Sequence, residues 1–88
     1  MGSPYLNFLK KVESIEDLDY GDFMRKANLY LNELLEDETV SSNPVLMARV
    51  EAMKKYIQFQ PNWDVETTKD QIHVDTENLM FLDSIYAS

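Results

Sequence analysis

Apolar positions recur most clearly between residues 44 and 59. Leu46, Val50, Met53 and Ile57 stand at i, i+4, i+7 and i+11, the spacing of one stripe along a helix. Asn43 offers an N-cap oxygen, and Pro44 suits the first helical position, where a missing N–H costs nothing. Pro61 stops the helix, because the residue before a proline is driven out of the α region. The pattern predicts a helix over 44–59, with the rest of the chain packed on or near its stripe.

Ser3-Pro4 repeats the cap-then-proline device and predicts a short helix over 4–13. Tyr5, Leu9 and Val12 form one face of it, with Leu6 and Phe8 alongside. Lys10 and Lys11 sit near its C-terminal end, where cations suit the helix dipole. A second helix is predicted over 19–36, capped by Asp19. Phe23, Ala27, Tyr30, Leu31, Leu34 and Leu35 make its broad apolar face. The connection between these two helices tucks Ile15 and Leu18 beneath it. Residues 37–43, DETVSSN, read as a polar loop. So short a connection favours antiparallel neighbours, and the helices over 19–36 and 44–59 are expected to form an αα-hairpin.

Beyond Pro61 the period changes. Trp63 and Val65 alternate with Asp64 and Glu66, and Ile72 and Val74 flank His73. This period of two predicts a small β-hairpin turning near residues 67–70. An irregular segment anchored on Trp63, or a helical one, is the alternative over 62–75. The last segment, 75–88, reads as a helix capped by Asp75 or Thr76. Leu79, Leu82 and Tyr86 make one face, widened by Met80, Phe81 and Ile85. The expected fold is therefore mainly α: one small domain of three to four helices around an antiparallel helical hairpin, with a β-hairpin or irregular segment near 62–75.

Size and charge narrow the function. A chain of 88 residues builds one modest core and has little room for an enclosed active site. Sixteen acidic residues against eight basic ones give a formal charge of -8. That field repels nucleic-acid phosphates and anionic lipid heads and attracts basic surfaces, so neither direct nucleic-acid binding nor membrane binding is expected. Beyond residue 60 the imbalance sharpens to six acids against Lys69 alone. The absence of cysteine excludes disulfides and thiolate zinc sites. No apolar run approaches the ~20 residues of a membrane span, and the chain reads as cytoplasmic or otherwise intracellular. Met1-Gly2-Ser3 matches a common engineered start.

Candidate chemistry is sparse. Asp17, Asp19 and Asp22 hint at a calcium loop, but Gly21 falls one place early and Asn28 stands where a bidentate glutamate is needed. His73 is the sole histidine, with only carboxylates such as Asp70, Asp75 and Glu77 near it in sequence, a poor zinc set that reads as surface. Two glycines leave no phosphate-cradling loop. No catalytic, cofactor-binding or metal residue is assigned, and the chain is not expected to be an enzyme.

Aromatic residues are in surplus. Tyr20, Tyr56, Phe59 and Trp63 cannot all face one small core, and aromatic residues are enriched at binding hot spots. The expected partner-binding set is Tyr56, Phe59, Trp63, Leu79, Phe81, Leu82, Ile85 and Tyr86. The reading is a small acidic protein–protein interaction module, such as an adaptor, inhibitor or assembly factor, that binds a larger, basic-surfaced protein. Two alternatives compete with it. One is a structural homo-oligomer whose terminal helix joins subunits. The other is a DNA mimic, ranked lower because the acids are scattered over loops and caps.

Overall fold

The computed structural model describes residues 3–16, 19–58 and 62–87. Five helices form among them: α1 (Pro4–Glu13), α2 (Tyr20–Glu36), α3 (Glu38–Ser41), α4 (Pro44–Gln58) and α5 (Val65–Ala87). Each begins at a side-chain cap that satisfies an orphan N–H of the first turn. Ser3 Oγ accepts from the Tyr5 N–H (3.2 Å), Asp19 from Asp22 (3.0 Å) and Asp37 from Thr39 (2.9 Å). Asn43 accepts from Val45 (3.0 Å), and Asp64 from Thr67 (2.7 Å). The Thr67 bonds hold the Asp64 carboxyl below the usual carboxylate range.

The apolar faces then close a ring. α1 packs on α2, α2 on α4, α4 on α5, and α5 back on α1, while α3 fills the joint between α2 and α4. Inside lie Tyr5, Phe8, Leu9 and Val12 of α1, and Phe23, Met24, Ala27, Leu31 and Leu34 of α2. Val40 of α3 and the α4 stripe Leu46, Val50, Met53 and Ile57 complete that side. Ile15 is buried under the α1–α2 connection, and Leu6 is left exposed.

Polar contacts tie the ring at its seams. The Tyr20 hydroxyl donates to the Ile57 carbonyl (3.0 Å), which the last turn of α4 would otherwise leave open. Lys69 Nζ donates to the Ile15 carbonyl (2.7 Å), fastening α5 to the α1–α2 connection. Lys54 donates to Asn32 (2.8 Å) and Gln58 to Asn28 (3.1 Å) across α4 and α2. Lys11 pairs with Glu33 (2.7 Å) on the surface, where such a pair contributes about 0–1 kcal/mol.

The structure corrects the sequence reading in three places. Residues 62–75 hold no β-hairpin: α5 runs unbroken from Val65, and no strand occurs among the described residues. The reason lies in Thr68 and Thr76, both fully buried. Their hydroxyls donate to carbonyls four residues back, Asp64 (2.9 Å) and Ile72 (2.7 Å), which leaves their methyls facing the core. Thr68, Ile72, Thr76 and Leu79 are thus one inward helical strip that looks half polar in the sequence. Neither Asp75 nor Thr76 caps this helix, since both lie well inside it and Asp64 takes that role. Within 37–43 the expected loop contains the one-turn α3, because Asp37 caps it and Val40 has a core site to fill. Asp17, Leu18, Phe59 and Pro61 lie outside the described residues.

One buried polar atom stands out. Tyr5 is 1% exposed, and its hydroxyl has no hydrogen-bond partner among the described residues. Burial, with the Asp83 and Asp37 carboxylates adding to it, pushes this phenol up to about 12.

Two predictions follow from this packing. Asp70 is exposed and falls at the turn of the rejected hairpin, so Asp70→Pro separates the two folds. A continuous α5 loses about 3 kcal/mol or more in urea unfolding, whereas a turn would tolerate the proline. For Tyr5, the folded chain holds the phenolic proton more tightly than the unfolded chain. Stability is therefore level up to pH 10 and falls as pH climbs toward about 12. Tyr5→Phe should leave the melting temperature at pH 7 unchanged or raised and remove that alkaline loss, because the hydroxyl it deletes is unsatisfied.

Candidate functional site: the groove between α4 and α5

α4 and α5 pack through Leu46, Val50, Met53 and Ile57 on one side and the strip from Thr68 to Leu79 on the other. Beside that contact lies a groove of about 600 Å3 lined by both helices. The α4 wall is Arg49, Ala52, Met53 and Tyr56, spaced i, i+3, i+4 and i+7. The α5 wall carries Gln71, Asp75, Asn78, Leu82 and Ile85 in steps of four and three, with Leu79 at the floor and Phe81 on the outer lip.

Three of the exposed large apolar side chains line the groove. Phe81 is 69% exposed, Ile85 54% and Tyr56 49%. Such large apolar side chains in one contiguous patch on a small chain mark an interaction surface more often than a random surface does. Tyr56 is braced from behind by Trp63, whose ring meets it edge to face with centroids 5.5 Å apart and planes at 72°.

The sequence-derived partner set resolves as follows. Tyr56, Leu79, Phe81, Leu82 and Ile85 come together in the groove. Trp63 is half-buried at its edge and acts on it through Tyr56. Tyr86 is exposed but does not line the groove. Phe59 lies outside the described residues. Arg49, Gln71, Asp75 and Asn78 are additions that the sequence reading did not make. Their signal was present: 71, 75, 78, 82 and 85 form one line as soon as α5 is read as a single helix from residue 65.

Asp75 gives the groove its electrostatic character. Gln71 donates to its carboxylate (3.0 Å), yet partial burial outweighs that bond and raises its pKa above the ordinary value. The groove therefore contains a partly desolvated acid, with Arg49 on the facing wall.

Elsewhere the polar clusters read as structural. His73 contacts Glu77 (Nε2 to Oε1, 2.5 Å) and, more distantly, Glu13 (3.6 Å), joining α5 to α1 at the surface. Among the described residues no group of three or more metal-ligating side chains is close enough to hold an ion. Asp19 caps α2, and Asp22 pairs with Arg25 (3.1 Å). Among the described residues no helix is long and apolar enough to cross a membrane. No protein-family model, curated protein or solved structure matches the chain.

The environment of Asp75 makes a stability prediction. Its raised pKa means that the folded chain binds the proton more tightly than the unfolded chain. Stability then declines as pH rises from about 3.8 through the raised value, and stays lower above it. Asp75→Asn keeps an acceptor for Gln71 but cannot ionise. Its melting temperature should exceed that of the parent chain at pH 7, with the gap closing below pH 3.8. An unchanged difference across that pH range would show that ionisation is not the cause.

Proposed function

We propose that this chain is a small acidic protein–protein interaction module that takes a segment of a larger protein into the α4–α5 groove. The observation that supports this reading is the apolar lip itself. Phe81, Ile85 and Tyr56 are large, exposed and adjacent along one groove whose floor, Leu79 and Met53, is already core. Burying about 100 Å2 of such surface contributes roughly 2.5 kcal/mol, and rigid aromatic anchors lose little entropy when they are covered.

In this reading α2 and α4 form an antiparallel pair. Its support is the two rungs Lys54–Asn32 and Gln58–Asn28, where a four-residue advance on α4 meets a four-residue retreat on α2. That pair holds the α4 wall of the groove rigid. The net charge of -8 favours a basic-surfaced partner, for a role in adaptation, inhibition or assembly.

A photo-crosslinking residue tests the site. Placed at Asn78 in the groove, it should capture a heterologous protein in extracts of cells that make the chain. Placed at Leu29, an exposed apolar residue of α2, it should not. Phe81→Asp should weaken that complex by at least about 2 kcal/mol, roughly thirty-fold in affinity, with the helical circular-dichroism signal intact. Leu82→Asp is a poorer probe, because Leu82 is half-buried and the new charge would also strain the fold. Equal capture from both positions, or capture indifferent to Phe81→Asp, would place the interaction elsewhere.

A further inference from the structure

Resting on the groove reading above, we infer that the occupant is an amphipathic helix of another protein, basic along its flanks, that lies lengthwise on α5 in coiled-coil register. Three observations carry the inference: the spacing of the exposed face, the charge of its flanks and the polar residue at its centre.

The inward strip of α5 uses Thr68, Ile72, Thr76 and Leu79. On the outward face, Val74, Asn78, Phe81 and Ile85 follow one another in steps of four, three and four. That alternation is the a/d seam of a heptad, the arrangement by which one helix receives the knobs of another. Val74 is 52% exposed, similar to Ile85, and Asn78 is also exposed. The seam spans twelve residues, about 16 Å from first to last at 1.5 Å per residue, so it matches a helix of three turns or more. The α4 wall at Ala52 and Tyr56 would meet one side of that helix, giving a three-helix contact.

The flanks on α5 are acidic, while the α4 wall carries Arg49. Asp70 and Glu77 occupy the positions next to the seam on one edge, and Asp75 the corresponding position on the other. Glu77 already contacts His73 and Asp75 accepts from Gln71, which leaves exposed Asp70 as the most accessible anchor for a cation. α5 has no lysine or arginine after Lys69, and Lys69 is committed to the Ile15 carbonyl. A second copy of this chain would therefore set acid against acid along both edges, each copy carrying a charge of -8. A helix with lysine or arginine at its flanking positions reverses the sign of every one of those contacts. Asn78 in the middle of the seam calls for an amide or hydroxyl opposite it, which fixes register at some loss of affinity.

Two designed helical peptides provide the test. Both carry leucine along one seam with a single asparagine to face Asn78. One has lysine at the flanking positions and the other glutamate. Fluorescence anisotropy with the full chain should show the lysine peptide binding at least about tenfold more tightly, and more weakly as salt rises. Phe81→Asp should reduce that binding by roughly thirty-fold. It adds a negative charge, so a purely electrostatic attraction would strengthen instead.

Equal binding of the two peptides, lost in Phe81→Asp, would overturn the basic-helix assignment and leave the groove reading standing. Lysine-peptide binding that survives Phe81→Asp, or no binding of either peptide, would overturn the assignment. In the first case the crosslink from Asn78 reports separately on the groove. A chain that sediments as a dimer, and as a monomer with Phe81→Asp, would assign the seam to a second copy and overturn the heterologous occupant.

Discussion

The structure depends on how α5 docks. Its inward strip is Thr68, Ile72, Thr76 and Leu79, and half of that strip is threonine. A buried hydroxyl is unfavourable unless it is bonded. Here both are closed on carbonyls of their own helix, so each threonine presents a methyl to the core and asks nothing of its neighbours. The strip is narrow as a result, and it seats α5 between α1 and α4 without wrapping it. That seating lets α1 exist, since a ten-residue helix is marginal alone and this one is held by α2 on one side and α5 on the other. It also leaves the opposite side of a 23-residue helix facing outward with Val74, Phe81 and Ile85 on it.

Charge is distributed in keeping with that division. Basic residues are used to tie elements: Lys69 to the α1–α2 connection, Lys54 to α2, Lys11 to Glu33. Acids start helices, at Asp19, Asp37 and Asp64. Five further acids, Glu66, Asp70, Asp75, Glu77 and Asp83, lie along α5 against Lys69 as its only lysine or arginine. A surface that combines apolar anchors with one sign of charge is better suited to a particular partner than to general stickiness, because like-charged surfaces are repelled before the apolar contacts form.

How much of this was legible in the sequence follows from what each helix shows there. α1, α2 and α4 each carry a capping residue and an apolar face, and α4 also a stop at Pro61, so these helices could be read from those features. α5 could not be read whole. Its buried threonines count as polar, and the Trp63–Val65 and Ile72–Val74 pairs imitate a strand's alternation. In the helix Val65 and Ile72 are seven residues apart on one face, while Val74 points out. The groove was half legible for the same reason. Phe81, Leu82, Ile85 and Tyr56 were conspicuous as apolar bulk beyond what a small core absorbs. Arg49, Gln71, Asp75 and Asn78 join them only once α5 is known to continue through residues 65–78.

The central claim is that one face of α5 holds the fold while the other stays exposed. Urea unfolding of two alanine variants on that helix tests it most directly. Ile72→Ala removes a fully buried side chain and should lose about 2–5 kcal/mol. Phe81→Ala, nine residues further on and mostly exposed, should change stability by no more than about 0.5 kcal/mol. Losses of similar size would contradict the account, because Phe81 would then belong to the core and the groove would have no exposed lip to offer.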